Sequence, residues 1–340
     1  MSKVLILKND RAGDLFTSLS LISTLIRDEN KIKIYLSELN SEFNFFFKNI
    51  ETRKTNFNLN FFSKLVIFFD ILLNNYKKIY ILSPKSFYFF LPLIFKNTKF
   101  YAIVYDGKKR DRPNRFLRKF LYKYKIVSRR KINKFSYKQL QEQLVEANVT
   151  IDKNYSNLYI PQIKENINRL LPENYIFFQF RYKFFNELEW SKEKIILFLN
   201  FLKNSTGSVV FCSDIENNVI SNEYKKFFLD NFSYIDLNKN VRDNKKDIKN
   251  IFYLKDLSGL DMFHITKNSY INLAKEGIIS HISFFHKKKS HNLFNFKITN
   301  KEDVRHQRIG YSEWCKSMKN SFSFLNTDFN KTIRKISKFI

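Results

Sequence analysis

An unbroken apolar run opens the chain, Lys3 to Lys8 (KVLILK), and is followed by apolar residues at helical spacing from Leu15 to Arg27 (LFTSLSLISTLIR). A run without alternation fits a parallel strand covered on both faces, and a 3.6-residue period fits a helix packed against it. Lys31 to Leu36 (KIKIYL) predicts a second strand, completing a β-α-β unit. The pattern then predicts a helix over Phe61 to Tyr76, a strand over Lys78 to Leu82, an aromatic-rich helix over Ser86 to Phe95 and a strand over Lys99 to Tyr105. Such alternation argues for a doubly wound sheet.

A second series begins after Pro172. It predicts strands over Tyr175 to Phe180 and Ser208 to Cys212, and helices over Lys192 to Lys203 and Glu223 to Asn231. Tyr234 to Leu237 follows, then a helix around Asp247 to Leu257, a strand over Met262 to Thr266, a helix over Tyr270 to Lys275 and a strand over Ile278 to Phe285. Neither a short-period repeat nor a Gly/Ser-rich linker is visible, so two doubly wound halves are expected to meet near residues 150 to 172 through a compact hinge. The expected organisation is an N-terminal domain over 1–160, a C-terminal domain over 170–325 and a closing helix over 326–340.

Composition supports folding into cores of this kind. A length of 340 residues exceeds what one core usually serves, and 44% hydrophobic residues with 39 Phe and 18 Tyr exclude a disordered chain. Cys212 and Cys315 lie far apart with no metal or redox spacing, which fits a reducing cytoplasm. Val4 to Leu7 is too short for a secretory leader. The apolar stretches Leu65 to Leu73, interrupted by Asp70, and Phe87 to Phe95, interrupted by Pro92, fall short of the roughly 18 residues a membrane span requires.

Charge adds a partner class. Sixty Lys and Arg against 32 Asp and Glu leave a net charge of +28, which attracts phosphates, anionic lipid headgroups or nucleic acid. Lys, Asn, Ile, Phe and Tyr are abundant while Gly and Pro are scarce, so AT-rich codon usage is a competing source of the basicity. Arg110 to Lys134 is the most basic segment, its cations interleaved with Phe, Leu, Tyr and Ile. Together with the Phe87 to Phe95 helix it would suit an anionic bilayer surface, against the alternative of core aromatics beside a solvated basic face. Cations among aromatics also suit single-stranded nucleic acid, but zinc-finger, RNA-recognition and helix-turn-helix signatures are missing, which makes nucleic acid the less favoured partner.

Chemistry is expected at the turn Asn9 to Asp14, because ligands of open α/β sheets bind at the carboxyl ends of strands. Here KVLILKNDRAGDLFTSLSLISTLI resembles the opening of glycosyltransferase family nine, the heptosyltransferases, in which a Gly-Asp pair begins the first helix; Gly13 and Asp14 fall on that pair. The resemblance implies two Rossmann-like doubly wound domains facing each other across a cleft, the glycosyltransferase B type. It further implies a cytoplasmic enzyme, peripheral on the inner membrane. Such an enzyme inverts and needs no metal, moving a sugar from a nucleotide-sugar donor such as ADP-heptose to a lipopolysaccharide-core or related lipid-linked glycan, with no other cofactor.

On that footing Asp14 is the expected general base, with helix capping as its competing role. Lys8, Asp10, Arg11 and Gly13 are expected acceptor contacts, Gly13 also allowing a tight turn. In the second half the resemblance runs weakly through Leu260 to Phe285, where the family places a strand, a donor-binding Asp-x-Gly-x-x-His element and a helix. Lys267, Ser269 and Asn272 are read at those positions, so no signature residue is kept. Lys267 and the amides around Ser269, expected at a helix N-terminus, would hold the diphosphate. The family also places a Lys two residues before a Trp; Leu188 stands there before Trp190, so Arg181 or Lys183 would substitute. Glu276 is the candidate for a donor ribose or sugar hydroxyl. The lost signature also motivates an alternative, an inert relative that keeps the fold for binding. His264, His281 and His286 show no metal-ligand spacing on an evident helix.

Overall fold

The computed structural model describes residues 3–29, 31–106, 115–128, 135–163, 165–213, 219–244, 249–275, 277–295, 315–316, 318–325 and 327–340. The chain divides into two compact units, Met1–Pro161 and Gln162–Ile340.

In the first unit, β1 (Lys3–Lys8), β2 (Lys31–Ser37), β3 (Glu51–Thr55), β4 (Lys78–Ile81), β5 (Lys99–Tyr105) and β6 (Lys123–Val127) form one sheet. Its order is β3-β2-β1-β4-β5-β6 with every neighbouring pair parallel. This is the dinucleotide-fold order, in which the chain winds outward from a central first strand in both directions. Val4, Leu5, Ile6 and Leu7 are fully buried, as a strand covered on both faces requires.

One face carries α1 (Ala12–Asp28). The other carries α2 (Phe61–Asn74), α3 (Leu91–Ile94) and α4 (Arg115–Arg118), whose Ile67, Ile71, Leu91 and Leu117 join Leu5, Leu7, Ile79 and Ile81 in one core. A fifth helix, α5 (Tyr137–Glu142), packs beside α1, where Gln141 accepts from Ser18. Asp70 of α2 is buried, accepting from Lys33 Nζ at 2.8 Å, Tyr35 Oη at 3.0 Å and Tyr76 Oη at 3.2 Å. It thereby fastens the helix to the sheet.

One expected element of this unit differs, and further elements join those expected. The aromatic helix expected over Ser86 to Phe95 is a 3-10 turn, Ser86–Phe89, followed by α3, because Pro92 lacks the N–H a continuous helix would need. Within it Tyr88, Phe89 and Leu91 are core residues. The basic run contains α4 and edge strand β6, with residues 110–114 and 129–134 outside the described residues. Strand β3, a charged edge strand, has no apolar pattern to announce it.

The second unit contains β7 (Ile176–Gln179), β8 (Val209–Cys212), β9 (Ser233–Asp236), β10 (Val241–Asp243), β11 (Ile251–Lys255), β12 (Ile271–Lys275), β13 (Ser290–Asn295) and β14 (Ser321–Leu325). Their order is β10-β9-β11-β8-β7-β12-β13-β14, with β10 antiparallel to β9 and the other pairs parallel. Again the first strand is central. The helices are α6 (Glu165–Leu170), α7 (Tyr182–Glu187), α8 (Lys192–Thr206), α9 (Val219–Asn231), α10 (Gly259–Asn268), α11 (Ile278–Phe285) and α12 (Phe329–Ile336). Phe178, Phe185, Trp190, Phe198, Phe211 and Phe228 build the core, and α12 closes it, Phe329 meeting Trp190 at 5.0 Å.

Between residues 247 and 285 the expected elements are inverted. Ile251–Lys255 is strand β11, not a helix; Met262 to Thr266 lies inside helix α10; Tyr270 to Lys275 holds strand β12; and Ile278–Phe285 is helix α11. Short apolar runs do not separate a buried strand from a buried helix by period. The deciding signal was local. Ser258 and Asp261 form a capping box that starts α10 at Gly259.

Replacing Asp70 with alanine leaves Lys33 paired only with Glu51, 2.8 Å away, and takes the acceptor from the buried Tyr35 and Tyr76 hydroxyls, so the first unit is expected to lose about 1–3 kcal/mol. Urea denaturation followed through both units checks this; an unchanged midpoint would refute the fastening role.

Candidate functional site

In each sheet the first strand is central, and the connections leaving its two sides run opposite ways. The crevice at the carboxyl ends of such diverging strands is where open α/β sheets bind ligands. In the first unit it lies beyond β1 and β4, in the second beyond β7 and β12.

Lys8, Asn9 and Asp10 end β1. The Lys8 side chain is fully buried, its ammonium 2.7 Å from Asp10 Oδ2 and 5.8 Å from the centre of the Tyr137 ring. Tyr137 donates to the Leu82 carbonyl just beyond β4 at 3.1 Å, so one side chain bridges the crevice. Asn40 Nδ2 donates to the Lys8 carbonyl at 2.8 Å. Asn9, also buried, accepts from Tyr88 Oη at 2.9 Å and donates to the Asn56 carbonyl at 3.2 Å. The turn is thus held from three sides.

Asp10 is raised from its ordinary value of 3.8 to about 6. Burial is the main cause, the Lys8 charge opposes it, and the like charge of Asp14 adds to it. Burial, with Tyr105, Asp10 and Asp14 nearby, likewise drives the Tyr137 phenol far up. Lys8, Asp10, Asp14 and Tyr137 therefore form one electrostatic cluster.

Asp14 does not cap α1. The cap position is Arg11, without a side-chain bond, and Asp14 stands half-buried as the third helical residue, where the helix dipole favours a carboxylate. Gly13 is inside the same turn and has no left-handed φ, so the tight turn expected of it is absent. Arg11 is exposed. Lys8, expected to touch an acceptor, is instead sealed beneath Asp10 and positions it.

In the second unit Arg181 follows β7 as the cap residue of α7. Across the crevice Gly277 follows β12 and caps α11 with φ 153° and ψ −150°, a conformation reserved for glycine. A side chain added at Gly277 would lie 3.6 Å from Arg181 Nη2, so the guanidinium rests against the bare glycine at a helix N-terminus. Lys275, the last residue of β12, sits with Nζ 5.8 Å from the centre of the Phe184 ring. Lys183, exposed in the first turn of α7, sits with Nζ 5.6 Å from the centre of the Tyr182 ring. A helix N-terminus, a guanidinium and lysines make a corner fitted to a diphosphate.

The remaining donor candidates sit elsewhere. Lys267 is exposed in the last turn of α10, and Ser269 caps its C-terminus rather than opening a helix. Ser269 Oγ bonds Asn272 Oδ1 at 2.8 Å and Asn272 Nδ2 bonds the Thr266 carbonyl at 3.1 Å, both groups fully buried. They staple α10 to the amino end of β12, the end away from Arg181. Glu276 lies outside the described residues. Leu188 and Trp190 are core residues.

The strand-to-helix junction of this region lies after β12. A strand followed by a Gly-x-x element and a helix occurs at Lys275 to Ser280, with Lys275 ending β12, Gly277 at the turn and Ser280 in the first turn of α11. Ser280 is turned inward onto Asn292. Among the described residues, no group of three His, Cys, Asp or Glu side chains is placed to hold a metal ion.

No protein-family profile and no curated protein matches this chain by sequence. Solved structures do match it. A glycosyl transferase of family 9 from Veillonella parvula superposes with a TM-score of 0.60 at 12% identity, covering 100% of this chain and 90% of that one. E. coli heptosyltransferase WaaC with ADP gives a TM-score of 0.62 at 9% identity, with 99% and 96% covered. A putative UDP-N-acetylglucosamine 2-epimerase from Listeria monocytogenes gives 0.59 at 9% identity, with 99% and 87% covered. At these identities the likeness establishes the fold, the two-domain α/β architecture of the glycosyltransferase B type.

Two outcomes follow from the site. The Asp10 carboxyl is expected to titrate near 6, and Asp14→Asn to lower that midpoint, read from carboxyl carbon shifts. Because its folded pKa lies above the unfolded value, this group's contribution to stability declines as pH rises from about 4 to about 6. A midpoint indifferent to Asp14 would separate the two groups. Gly277→Ala, in turn, is expected to cost about 1–3 kcal/mol through backbone strain, measured by thermal unfolding.

Proposed function

We propose that the protein is a glycosyltransferase that takes its sugar from a nucleotide-diphosphate donor. The observation that carries this reading is that each unit, taken by itself, places chemistry at its switch point: a carboxylate cluster in the first, and a guanidinium against a glycine-capped helix N-terminus in the second. The glycosyltransferase-like fold supports it.

In this reading Arg181, the amides opening α11 and Lys275 bind the donor diphosphate, with Lys183 close by. Asp14 accepts the proton of an acceptor hydroxyl. The freed oxygen forms a bond to the anomeric carbon, and the bond from that carbon to the phosphate oxygen breaks, its electron pair leaving with the nucleoside diphosphate. The cationic corner neutralises the leaving charge. Attack from the side opposite the leaving group inverts the anomeric centre. Lys8 and Tyr137 hold Asp10 beside Asp14, and Asp10, with Arg11, lines the acceptor side. The resemblance of the first helix favours a heptose donor and a lipopolysaccharide-core or related acceptor.

A second reading, an inert relative that binds a sugar nucleotide without transfer, is favoured by one observation. Lys275 and Ser280, beside the Gly277 turn, are neither acidic nor histidine, and Ser280 is engaged with Asn292.

Nucleoside-diphosphate release from ADP-, UDP- and GDP-sugars distinguishes the two. The expected outcome is release that falls by about 10²–10⁴ in Asp14→Asn with donor affinity unchanged. Arg181→Gln is expected to weaken donor binding by about tenfold, as loss of a charged phosphate contact does. Donor binding without turnover would favour the inert relative, and failure to bind any donor would sink both.

A further inference from the structure

Tyr105 ends β5 and Tyr137 opens α5, and their rings lie near-parallel, 18° between planes with centroids 6.3 Å apart. This is an offset pair of the kind aromatic rings favour. Alternation along β5 decides which way it faces. Ala102 and Val104 belong to the core under α2, α3 and α4, so Tyr105, one residue on, stands on the opposite face with α1 and α5. Asp14 belongs to that same α1. The pair is distinct from the tyrosines of the core. Tyr80 and Tyr101, 4.5 Å apart in the same sheet, are sealed from solvent, and Tyr101 Oη donates to Glu146 at 2.5 Å. Tyr105 and Tyr137 are only half-buried.

The setting of the pair selects what it holds. Tyr137 Oη donates to the Leu82 carbonyl at 3.1 Å, which keeps the ring from turning and presents it pre-organised. Burial first, then Tyr105, Asp10 and Asp14, push the Tyr137 phenol far up, so both carboxylates act on this ring. β5 is two strands from β1, which sets Tyr105 and the Asp10 turn about 10 Å apart across the strand ends. Aromatic rings offer their negative faces to C–H groups, and carboxylates accept from hydroxyls. A pyranose presents both, C–H groups on the face of its ring and hydroxyls around its rim. Charge narrows the choice further. Lys8 is paired with Asp10, and Lys85, after β4, has its ammonium 4.1 Å from the centre of the Phe57 ring. Asp10 and Asp14 then outweigh Arg11, the one cation among residues 9–14, and disfavour an anionic sugar.

We propose that Tyr105 and Tyr137 form the platform on which the acceptor lies, an uncharged pyranose seated with a ring face on Tyr105 and a hydroxyl toward Asp14. The part of the two tyrosines is to position: they fix the ring that carries the attacking hydroxyl and move no proton. That the bound sugar is an acceptor rests on the transferase reading; that an uncharged pyranose lies on this pair does not.

The test is saturation-transfer NMR of the full chain with methyl α-glucopyranoside, methyl α-mannopyranoside and glucuronate, each without donor. The wild type is expected to saturate the ring C–H protons of a neutral glycoside, most strongly on one ring face, and to saturate glucuronate far less. Tyr105→Leu keeps apolar bulk without a ring and should weaken binding about fivefold, whereas Tyr105→Phe keeps the ring and should bind as the wild type does. Melting of both variants is expected to match the wild type, and the contrast between Leu and Phe reads the ring rather than the fold. Absence of saturation for both glycosides, equal saturation by Tyr105→Leu, or glucuronate saturated as strongly as the neutral sugars overturns the proposal. Failure of nucleoside-diphosphate release with saturation intact would count against the transferase reading alone, and release without saturation against the platform alone.

Discussion

Burial of both faces of a parallel sheet is the constraint on which this molecule depends. Val4 to Leu7 in β1 and Ile176 to Phe178 in β7 have no solvent exposure, so neither central strand can carry exposed chemistry along its length. Polar groups are displaced to the turns beyond the strands, and the outward winding of each sheet from its first strand opens a crevice at those turns. The carboxylates after β1 and the guanidinium after β7 occupy equivalent places for the same reason.

The two places are built differently. At β1 a buried ammonium is tolerable because Asp10 accepts from it at 2.7 Å, and the carboxyl in turn is burdened by burial and by Asp14. Lys8 is thereby a positioning residue, and the carboxylate pair above it is electrostatically coupled. At β12 the device is backbone conformation. Gly277 takes a φ of 153° that admits no ordinary side chain, which ends the strand, caps α11 and leaves room for Arg181.

Excess positive charge has a location as well as a sign. On the layer of α2, α3 and α4 the carboxylate is inside, paired with Lys33, while lysines and arginines surround exposed Phe and Leu. Codon bias accounts for abundant Lys and Phe but not for their segregation on one surface. Placing Asp70 inward serves stability and keeps the one carboxylate of α2 off its outer face.

How much was legible follows the length and purity of each pattern. KVLILK followed by a 17-residue helix is long and periodic, so the first β-α-β unit, the doubly wound class and the turn at Asp10 to Asp14 could be read directly. Between residues 247 and 285 the apolar runs are short and equally compatible with strand or helix, and the Ser258 to Asp261 capping box was the residue-level signal that fixed the phase. An inverted phase puts Ser269 and Asn272 at a helix N-terminus, whereas they staple the end of α10, and it hides the strand-to-helix turn at Gly277. Hydrophobic period and local capping determine which elements form, because both act through neighbours in sequence. Tertiary structure alone decided that Lys8 is sealed beneath Asp10, that Arg181 meets Gly277 and that the Phe face of α2 points outward, because each depends on which strands become neighbours across a sheet.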